Sequence, residues 1–312
     1  MAARLVTARV AAARLVAGCV LAGVVASVLG GCGLGVTDRD LVARQLAGLS
    51  GTTSTAVTRD DDGTVAVEVG LERDVDEQRV VAIVTRWVDA AHDIESPSRL
   101  HVAAASAGAA ASTLDVVSVA ADPAAVARAW VELGTVASVA VVADADGARA
   151  EVAPLQHRDA SPAAVADLAG AVSAVVDPER IDSWTFTVGA VSLLSAGGPP
   201  DAGLLTTVRG FDDAWRVRAD DAGASLDITA TTDAGLALDL DLAPDALADL
   251  DDAALAAALP ESDAWRVAVA LDRALPDGAT LDVTAFGGSV VASAGAGSCG
   301  GPLAPALDAA CA

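Results

Sequence analysis

The sequence predicts an α+β protein built as tandem two-layer sandwiches, in which helices cover one face of antiparallel sheets. Two observations predict this class: the chain repeats itself at a fixed spacing, and within each copy helical segments alternate with pairs of short Val- and Thr-rich runs. A helix–hairpin unit buries its apolar sides by laying the helices against a sheet. We therefore expect the same small unit to recur along most of the chain.

The repeat has a shift of 84 residues. DLVARQLAGL (residues 40–49) precedes TRDDDGT, and AAVARAWVEL (residues 124–133) precedes VADADGA. We interpret this ungapped match as a duplication. The matched positions are Val42, Ala43, Arg44, Leu49, Asp60, Asp62 and Gly63, which recur as Val126, Ala127, Arg128, Leu133, Asp144, Asp146 and Gly147.

Helices and hairpins within the copies follow from local signals. Asp122 before Pro123, and Ser161 before Pro162, supply an N-cap followed by proline at the first helical position. Apolar residues at 80, 81, 83, 84, 87 and 88 share one helical face. STAVTRDDDGTVAVEV predicts a hairpin, with the Asp62–Gly63 pair in its turn.

The last third of the chain repeats a different pattern. DAWRV occurs at residues 213–217 and again at 263–267, followed by SLDIT and TLDVT. We interpret both DAWRV segments as strands whose Trp215 and Trp265 face the core. Residues 245–259 predict one acidic helix with its leucines inward, Leu247, Leu250, Leu255 and Leu259. This region is predicted to be a third, degenerate sandwich that lacks its first helix.

The N-terminus carries an export signal. Arg4, Arg9 and Arg14 precede an uncharged apolar run over residues 15–31, which ends at Cys32. The residues LGGC at 29–32 resemble the lipobox of bacterial lipoproteins. The resemblance implies cleavage after Gly31 and a diacylglyceryl thioether, with palmitate-type chains, on Cys32. Two acyl chains hold a protein stably at a membrane. An ordinary secretory signal and an uncleaved anchor are the alternatives.

Cysteine usage agrees with export to an oxidising compartment. Cys19 leaves with the signal and Cys32 is modified, so Cys299 and Cys311 remain as an even pair. A disulfide between them would close a loop over residues 299–311, worth about 3 kcal/mol in the chain-entropy model. The alternative is two free buried thiols.

These signals divide the chain into five predicted parts. Residues 1–31 are a lipoprotein signal peptide, and residues 32–37 are a lipidated tether. The α+β repeats cover residues 38–121, residues 122–208 and residues 209–312, and the last carries the disulfide-closed tail.

The charge balance restricts the possible partners. The formal net charge is −24, and removal of the three signal arginines leaves −27. Such a body repels phosphate backbones and anionic lipid headgroups, so we predict no nucleic-acid partner and membrane attachment through the lipid. Basic partners and cations stay possible. Gly- and Pro-rich sequence interrupts the other uncharged tracts, so we expect no transmembrane helix in the mature protein.

The first copy resembles BON domains, small modules of bacterial envelopes. The resemblance rests on a helix, the hairpin turned by Asp62–Gly63, the following helix DEQRVVAIVTRWVDAA and the strand RLHVAA. It implies a place in the envelope, and it implies no binding residue.

Residues that could carry chemistry are few. His92, His101 and His157 lie on a helix end, a strand and a linker, without a metal-binding spacing. The D-x-D-G sequences at Asp60 and Asp144 lack the other ligands of an EF-hand, so they favour plain turns. The five tryptophans occupy core-facing or element-starting positions, which favours packing. We predict no catalytic, cofactor-binding or metal-binding residue, and a protein that is not an enzyme.

The resulting hypothesis is a lipid-anchored protein on the extracytoplasmic face of the cell membrane. We expect it to act as a binding or scaffolding component of the envelope with a protein partner. Two alternatives are a carrier that holds a lipid or other apolar ligand between helices and sheet, and an envelope hydrolase that uses carboxylates. The sequence specifies no small-molecule ligand.

Overall fold

A helical segment followed by a β-hairpin recurs throughout the described chain. The computed structural model describes residues 37–49, 52–72, 76–104, 112–117, 122–176, 181–216, 223–231, 235–295 and 299–308. In these residues each of six hairpins is preceded by at least one helix. The chain from Thr37 to Ala312 forms one compact unit.

The described residues form nine α-helices and twelve strands. The helices are α1 (Asp38–Leu46), α2 (Glu77–His92), α3 (Pro123–Gly134), α4 (Pro162–Ser173), α5 (Ala202–Gly210), α6 (Asp212–Trp215), α7 (Asp252–Ala258), α8 (Asp263–Ala274) and α9 (Ala304–Leu307). The strands are β1 (Thr52–Arg59), β2 (Val65–Leu71), β3 (Ser98–Ala104), β4 (Ser112–Val116), β5 (Ser138–Asp144), β6 (Gly147–Ala153), β7 (Ser183–Val188), β8 (Val191–Ala196), β9 (Ala224–Thr231), β10 (Gly235–Leu242), β11 (Thr280–Ala285) and β12 (Val290–Gly295). No helix in this described set is long and apolar enough to cross a membrane.

All the strands belong to one mixed sheet whose spatial order follows the chain order from β1 to β12. The two strands of each hairpin are antiparallel. Successive hairpins pair in parallel, at β2–β3, β4–β5, β6–β7, β8–β9 and β10–β11. A parallel connection needs a crossover, which the helices supply. Because every crossover moves one position in the same direction, the helices lie on one face of the sheet.

The core lies between the helix layer and the sheet. On β7 the side chains of Trp184, Phe186 and Val188 are buried, whereas the alternate residues are exposed or half-buried. The same alternation runs through most strands, and the buried strand residues join the buried helix residues in one cluster. The described part of the chain therefore forms a single two-layer structure.

The prediction of tandem sandwiches with antiparallel sheets is wrong. Hydrogen-bonded pairing continues across the predicted boundaries after residues 121 and 208, because β4 pairs with β5 and β8 pairs with β9. An unpaired strand edge exposes a row of peptide groups, and each unit covers the edge of the unit before it. The alternation of helices and hairpins is observed, but its units share one sheet.

Several local predictions are confirmed. Asp122 and Ser161 cap α3 and α4 by accepting hydrogen bonds from the amides of Ala125 (2.8 Å) and Ala164 (3.1 Å). The predicted apolar face of α2 is buried or half-buried. Gly63 has φ +87° in the β1–β2 turn, where the Asp62 carboxylate accepts a hydrogen bond from the Thr64 amide.

The interpretation of the two DAWRV segments as strands is wrong. The first contributes helix α6, and the second begins helix α8. In α8 the side chains of Ala264, Trp265, Ala268 and Leu271 are buried at helical spacing. Ser262 caps this helix by accepting a hydrogen bond from the Trp265 amide. Five residues are too few to distinguish the two periodicities, and here burial against the sheet selected the helix.

Two further predictions for this region are wrong. Residues 245–259 form a 3-10 turn and the short helix α7 instead of one helix. The Asp251 side chain begins the new helix α7 by accepting a hydrogen bond from the Ala254 amide. As a result Leu259 is fully buried, whereas Leu250 is 40% exposed. The unit predicted to lack its first helix, residues 209–312, also has helix α6 before β9.

Candidate functional site

The face of the sheet turned away from the helices is the candidate site, and we call it the open face. No described helix packs over it, and the side chains that alternate with the buried ones are mostly half-buried or exposed there. Its charged side chains include Glu68, Arg99, His101, Asp115, Arg149, Glu151, Asp227, Asp239, Asp241 and Asp282.

A histidine–aspartate pair lies on the open face at strands β3 and β4. His101 stands directly opposite Asp115 in the antiparallel register, and its Nδ1 lies 2.6 Å from the Asp115 Oδ1. The hydrogen bond to Asp115 raises the pKa of His101 above its usual 6.5; partial burial opposes this rise, and the negative charges of Asp115 and Glu68 add to it. Both side chains keep substantial solvent exposure, 41% and 38%.

The charges around this pair are mixed in sign and locally paired. Glu68 lies opposite His101 on β2. Arg99 forms a 2.7 Å ion pair with Asp60, and Arg149 forms a 2.5 Å ion pair with Asp144. The part of the open face formed by β2 to β6 therefore carries charges of both signs.

Strands β9 to β11 carry charges of one sign. Asp239 on β10 stands opposite Asp227 on β9 and opposite Asp282 on β11; we call these three residues the acidic row. Neighbouring strands lie about 4.8 Å apart, and like charges directly opposite each other destabilise a sheet. Burial raises the pKa of Asp239, and the charges of Asp282 and Asp227 raise it further.

Serine residues occupy the two ends of the acidic row. Ser192 on β8 donates a 2.5 Å hydrogen bond from its hydroxyl to Asp227, and Ser293 on β12 stands opposite Asp282. The described residues contain no group of three or more His, Cys, Asp or Glu side chains arranged to hold a metal ion. The row therefore presents a strip of negative charge.

The acidic D-x-D-G turns use their carboxylates in local contacts with backbone amides and with nearby arginines. The Asp62 carboxylate accepts the Thr64 amide hydrogen, and the Asp144 carboxylate accepts the Asp146 amide hydrogen. The second oxygen of the Asp144 carboxylate pairs with Arg149, and the Asp60 carboxylate pairs with Arg99. These contacts are those of hairpin turns, as the sequence predicted.

A second acidic feature is a cleft of about 570 Å³ at the end of α8, lined by residues that include Asp272, Pro276, Asp277 and Asp308. Burial raises the pKa of Asp272, the negative charge of Asp308 raises it further, and Arg273 lowers it. This cleft is polar, and it lies beside the start of β11.

The predicted covalent sites lie mostly outside the described residues. Cys32, the predicted lipidation site, and Cys311 are both outside them, as is the predicted signal peptide. Cys299 takes part in a disulfide bond. Its pairing with Cys311 stays a prediction.

Among the described residues, one of the three histidines contacts a carboxylate. His92 ends α2, and His157 lies in the connection between β6 and α4, whereas His101 pairs with Asp115. All five tryptophans, Trp87, Trp130, Trp184, Trp215 and Trp265, are at most 3% exposed, so their prediction as packing residues is confirmed.

Sequence reasoning missed the acidic row. The segments SLDIT, LALDLDL and TLDVT each place aspartate between apolar residues, which signals a polar position on a half-buried strand. Only the strand register aligns these aspartates with one another.

Comparison with protein-family models gives no match, and neither do comparisons with curated proteins and with solved structures.

Proposed function

We propose that this protein is a lipid-anchored binding or scaffolding component of a bacterial cell envelope, and that it holds a protein partner on the open face. The observation that carries this proposal is a broad polar sheet face that no described helix covers. Anchoring rests on the N-terminal arginines, the apolar run and the LGGC sequence ending at Cys32.

The size of the open face supports a protein partner. Twelve strands spaced about 4.8 Å apart extend for roughly 53 Å, and a six-residue strand is about 20 Å long. The resulting area is on the order of 1,000 Å². A standard protein–protein interface buries about 800 Å² on each partner, so the face is large enough.

The charge pattern of the open face indicates which partner surface it fits. The acidic row favours basic side chains opposite β9 to β11. The mixed charges around His101 and Arg149 favour a partner with both signs at the other end. Complementary charges increase association rates and exclude wrong orientations.

The alternative carrier function requires an apolar cavity between the helices and the sheet. In the described residues that space holds tightly buried side chains, among them Trp87, Trp184, Phe186 and Leu193, each fully buried. The alternative hydrolase requires several carboxylates and a histidine that converge in one cleft, whereas the His101–Asp115 pair lies on a solvent-exposed sheet face with its side chains 41% and 38% exposed. We therefore favour binding over both alternatives.

Site-specific photocrosslinking in intact cells tests the proposal. A photoreactive residue at Leu194 or Thr229, both on the open face, is expected to crosslink one partner. The same residue at Arg86, on the exposed side of α2, is the matched control and should give no such product. Changing Asp227, Asp239 and Asp282 to Asn should reduce the yield of the crosslinked product from the open-face positions. Equal products from Leu194 and Arg86, or none from either open-face position, would overturn it.

A further inference from the structure

Among the described strands, β1 forms one edge of the sheet and has β2 as its only strand neighbour. The Asp60 amide donates to the Thr64 carbonyl across the turn, and hydrogen-bonded and non-hydrogen-bonded pairs alternate along an antiparallel ladder. Ala56 and Thr58 therefore bond to β2. Thr55, Val57 and Arg59 direct their peptide groups away from the sheet.

One side chain reaches these outward groups. Arg39 on α1 donates from its Nε to the Val57 carbonyl at 3.0 Å, which agrees with the direction assigned to that peptide group. Within the described chain, the outward amides of Thr55, Val57 and Arg59 have no backbone partner. Such an edge is a template for pairing with another strand.

The opposite edge of the sheet is closed by the chain itself. Ser293 on β12 exchanges backbone hydrogen bonds with Gly300, at 2.7 Å and 3.2 Å. The Leu303 amide donates to the Val291 carbonyl at 2.9 Å. A head-to-tail contact between β12 of one copy and β1 of another would have to displace this segment. Pairing of β1 with β1 of a second copy needs no displacement of the C-terminal segment.

The composition of β1 favours pairing with a second copy. Its sequence, TTSTAVTR, contains no acidic residue in a chain that has 43 acidic and 19 basic residues. The strand itself therefore adds no like-charge repulsion when two strongly negative bodies meet along it. Threonine and valine also suit extended strands.

A groove beside β1 supplies space for the second copy. It measures about 310 Å³ and lies between α1 and β1, with Ala43, Ala47, Leu49 and Thr55 among its lining residues. The twofold axis of an antiparallel strand pair is perpendicular to the sheet, so both helix layers would lie on the same side. Helix α1 of the second copy would then approach this groove.

We propose that two copies of this chain associate through antiparallel pairing of their β1 strands, which joins their sheets across a twofold axis. The closed β12 edge limits the assembly to a dimer. The Arg39 side chain competes for the Val57 carbonyl and so weakens the association. This interface uses the edge of the sheet and leaves the open face free.

Sedimentation of the full chain, purified in mild detergent, tests the proposal. The wild type is expected to show a concentration-dependent dimer. Thr55→Pro removes an outward amide without removing a bond to β2, and should weaken the dimer at least about tenfold, since each interface loses two hydrogen bonds by symmetry. Arg39→Ala frees the Val57 carbonyl and should increase the affinity of the dimer several-fold.

Thr55→Ala is the matched control, because it shortens the same groove-lining side chain but keeps the amide, so it should dimerise about tenfold more tightly than Thr55→Pro. Circular dichroism and thermal unfolding of each variant verify the fold. A wild type that stays monomeric at every accessible concentration would overturn the proposal. A dimer that Thr55→Pro leaves unchanged would also overturn it.

Discussion

His101 and Asp115 face each other on neighbouring strands, with 2.6 Å between the histidine Nδ1 and the aspartate Oδ1. Asp115→Asn is expected to lower the pKa of His101, because the variant removes the hydrogen bond to the carboxylate and the negative charge next to the ring. Titration by nuclear magnetic resonance measures the change. An unchanged His101 pKa would contradict the assignment.

The same pair predicts a pH dependence of stability. The pKa of His101 is raised in the folded state, so the folded protein binds the proton more tightly than the unfolded chain. The stabilisation is full below the ordinary value of 6.5 and disappears as the pH rises through the raised pKa. Just below pH 6.5, the free energy of unfolding of the wild type should exceed that of Asp115→Asn by at most about 1 kcal/mol, because the pair is exposed. Urea unfolding across this range provides the measurement.

The acidic row should destabilise the fold at neutral pH. Because the pKa of Asp239 is raised, the folded state favours its protonated form, and stability falls as the pH rises through that pKa. Asp239→Asn is expected to raise the midpoint of thermal unfolding at neutral pH, and added salt should reduce the difference. Asp249→Asn, at an exposed position outside the row, is the control. Equal effects of both changes would argue against repulsion within the row.

Two turn glycines should differ in their tolerance of alanine. Gly63→Ala places a side chain at φ +87° with its nearest neighbour, Arg59 Nη2, 3.6 Å away, so it should cost about 1–2 kcal/mol. Gly147→Ala should cost more, because at φ +130° its Cβ would also collide with the Asp182 carboxylate. Gly134→Ala, in open space at the end of α3, is the control and should be neutral or slightly stabilising. Urea unfolding measures the free energy of unfolding of the three variants and so tests this order of stability.

The predicted lipid anchor requires Cys32. Metabolic labelling with a fatty-acid analogue should mark the wild type, and Cys32→Ala should lose the label and leave the membrane fraction. Cys299→Ala is the matched control and should stay labelled. A Cys32→Ala variant as strongly labelled as the wild type would contradict the anchor.

The predicted disulfide partner of Cys299 is Cys311. Peptide mapping without reduction should recover the two cysteines in one linked pair of peptides. Cys311→Ala should lower the free energy of unfolding by about 3 kcal/mol under oxidising conditions, and reductant should abolish the difference. A peptide linking Cys299 to Cys32 would exclude the predicted pairing.

Local sequence determined those features that a few neighbouring residues can specify. Asp122 and Ser161 cap their helices, and Gly63 turns its hairpin, because each contact spans at most three residues. The apolar face of α2 was also predictable, since sixteen residues contain enough turns to show the helical period. The same reasoning failed for DAWRV, which is shorter than two helical turns.

Tertiary structure decided how the units combine and which polar residues meet. Parallel pairing between hairpins joined them into one sheet, and strand register aligned Asp227, Asp239 and Asp282, which lie on three different strands. Pairing of His101 with Asp115 arose in the same way, from an antiparallel register. Hydrogen bonds between strands depend on which strand edges come together in space. The composition and periodicity of one segment do not specify which other strand it will pair with.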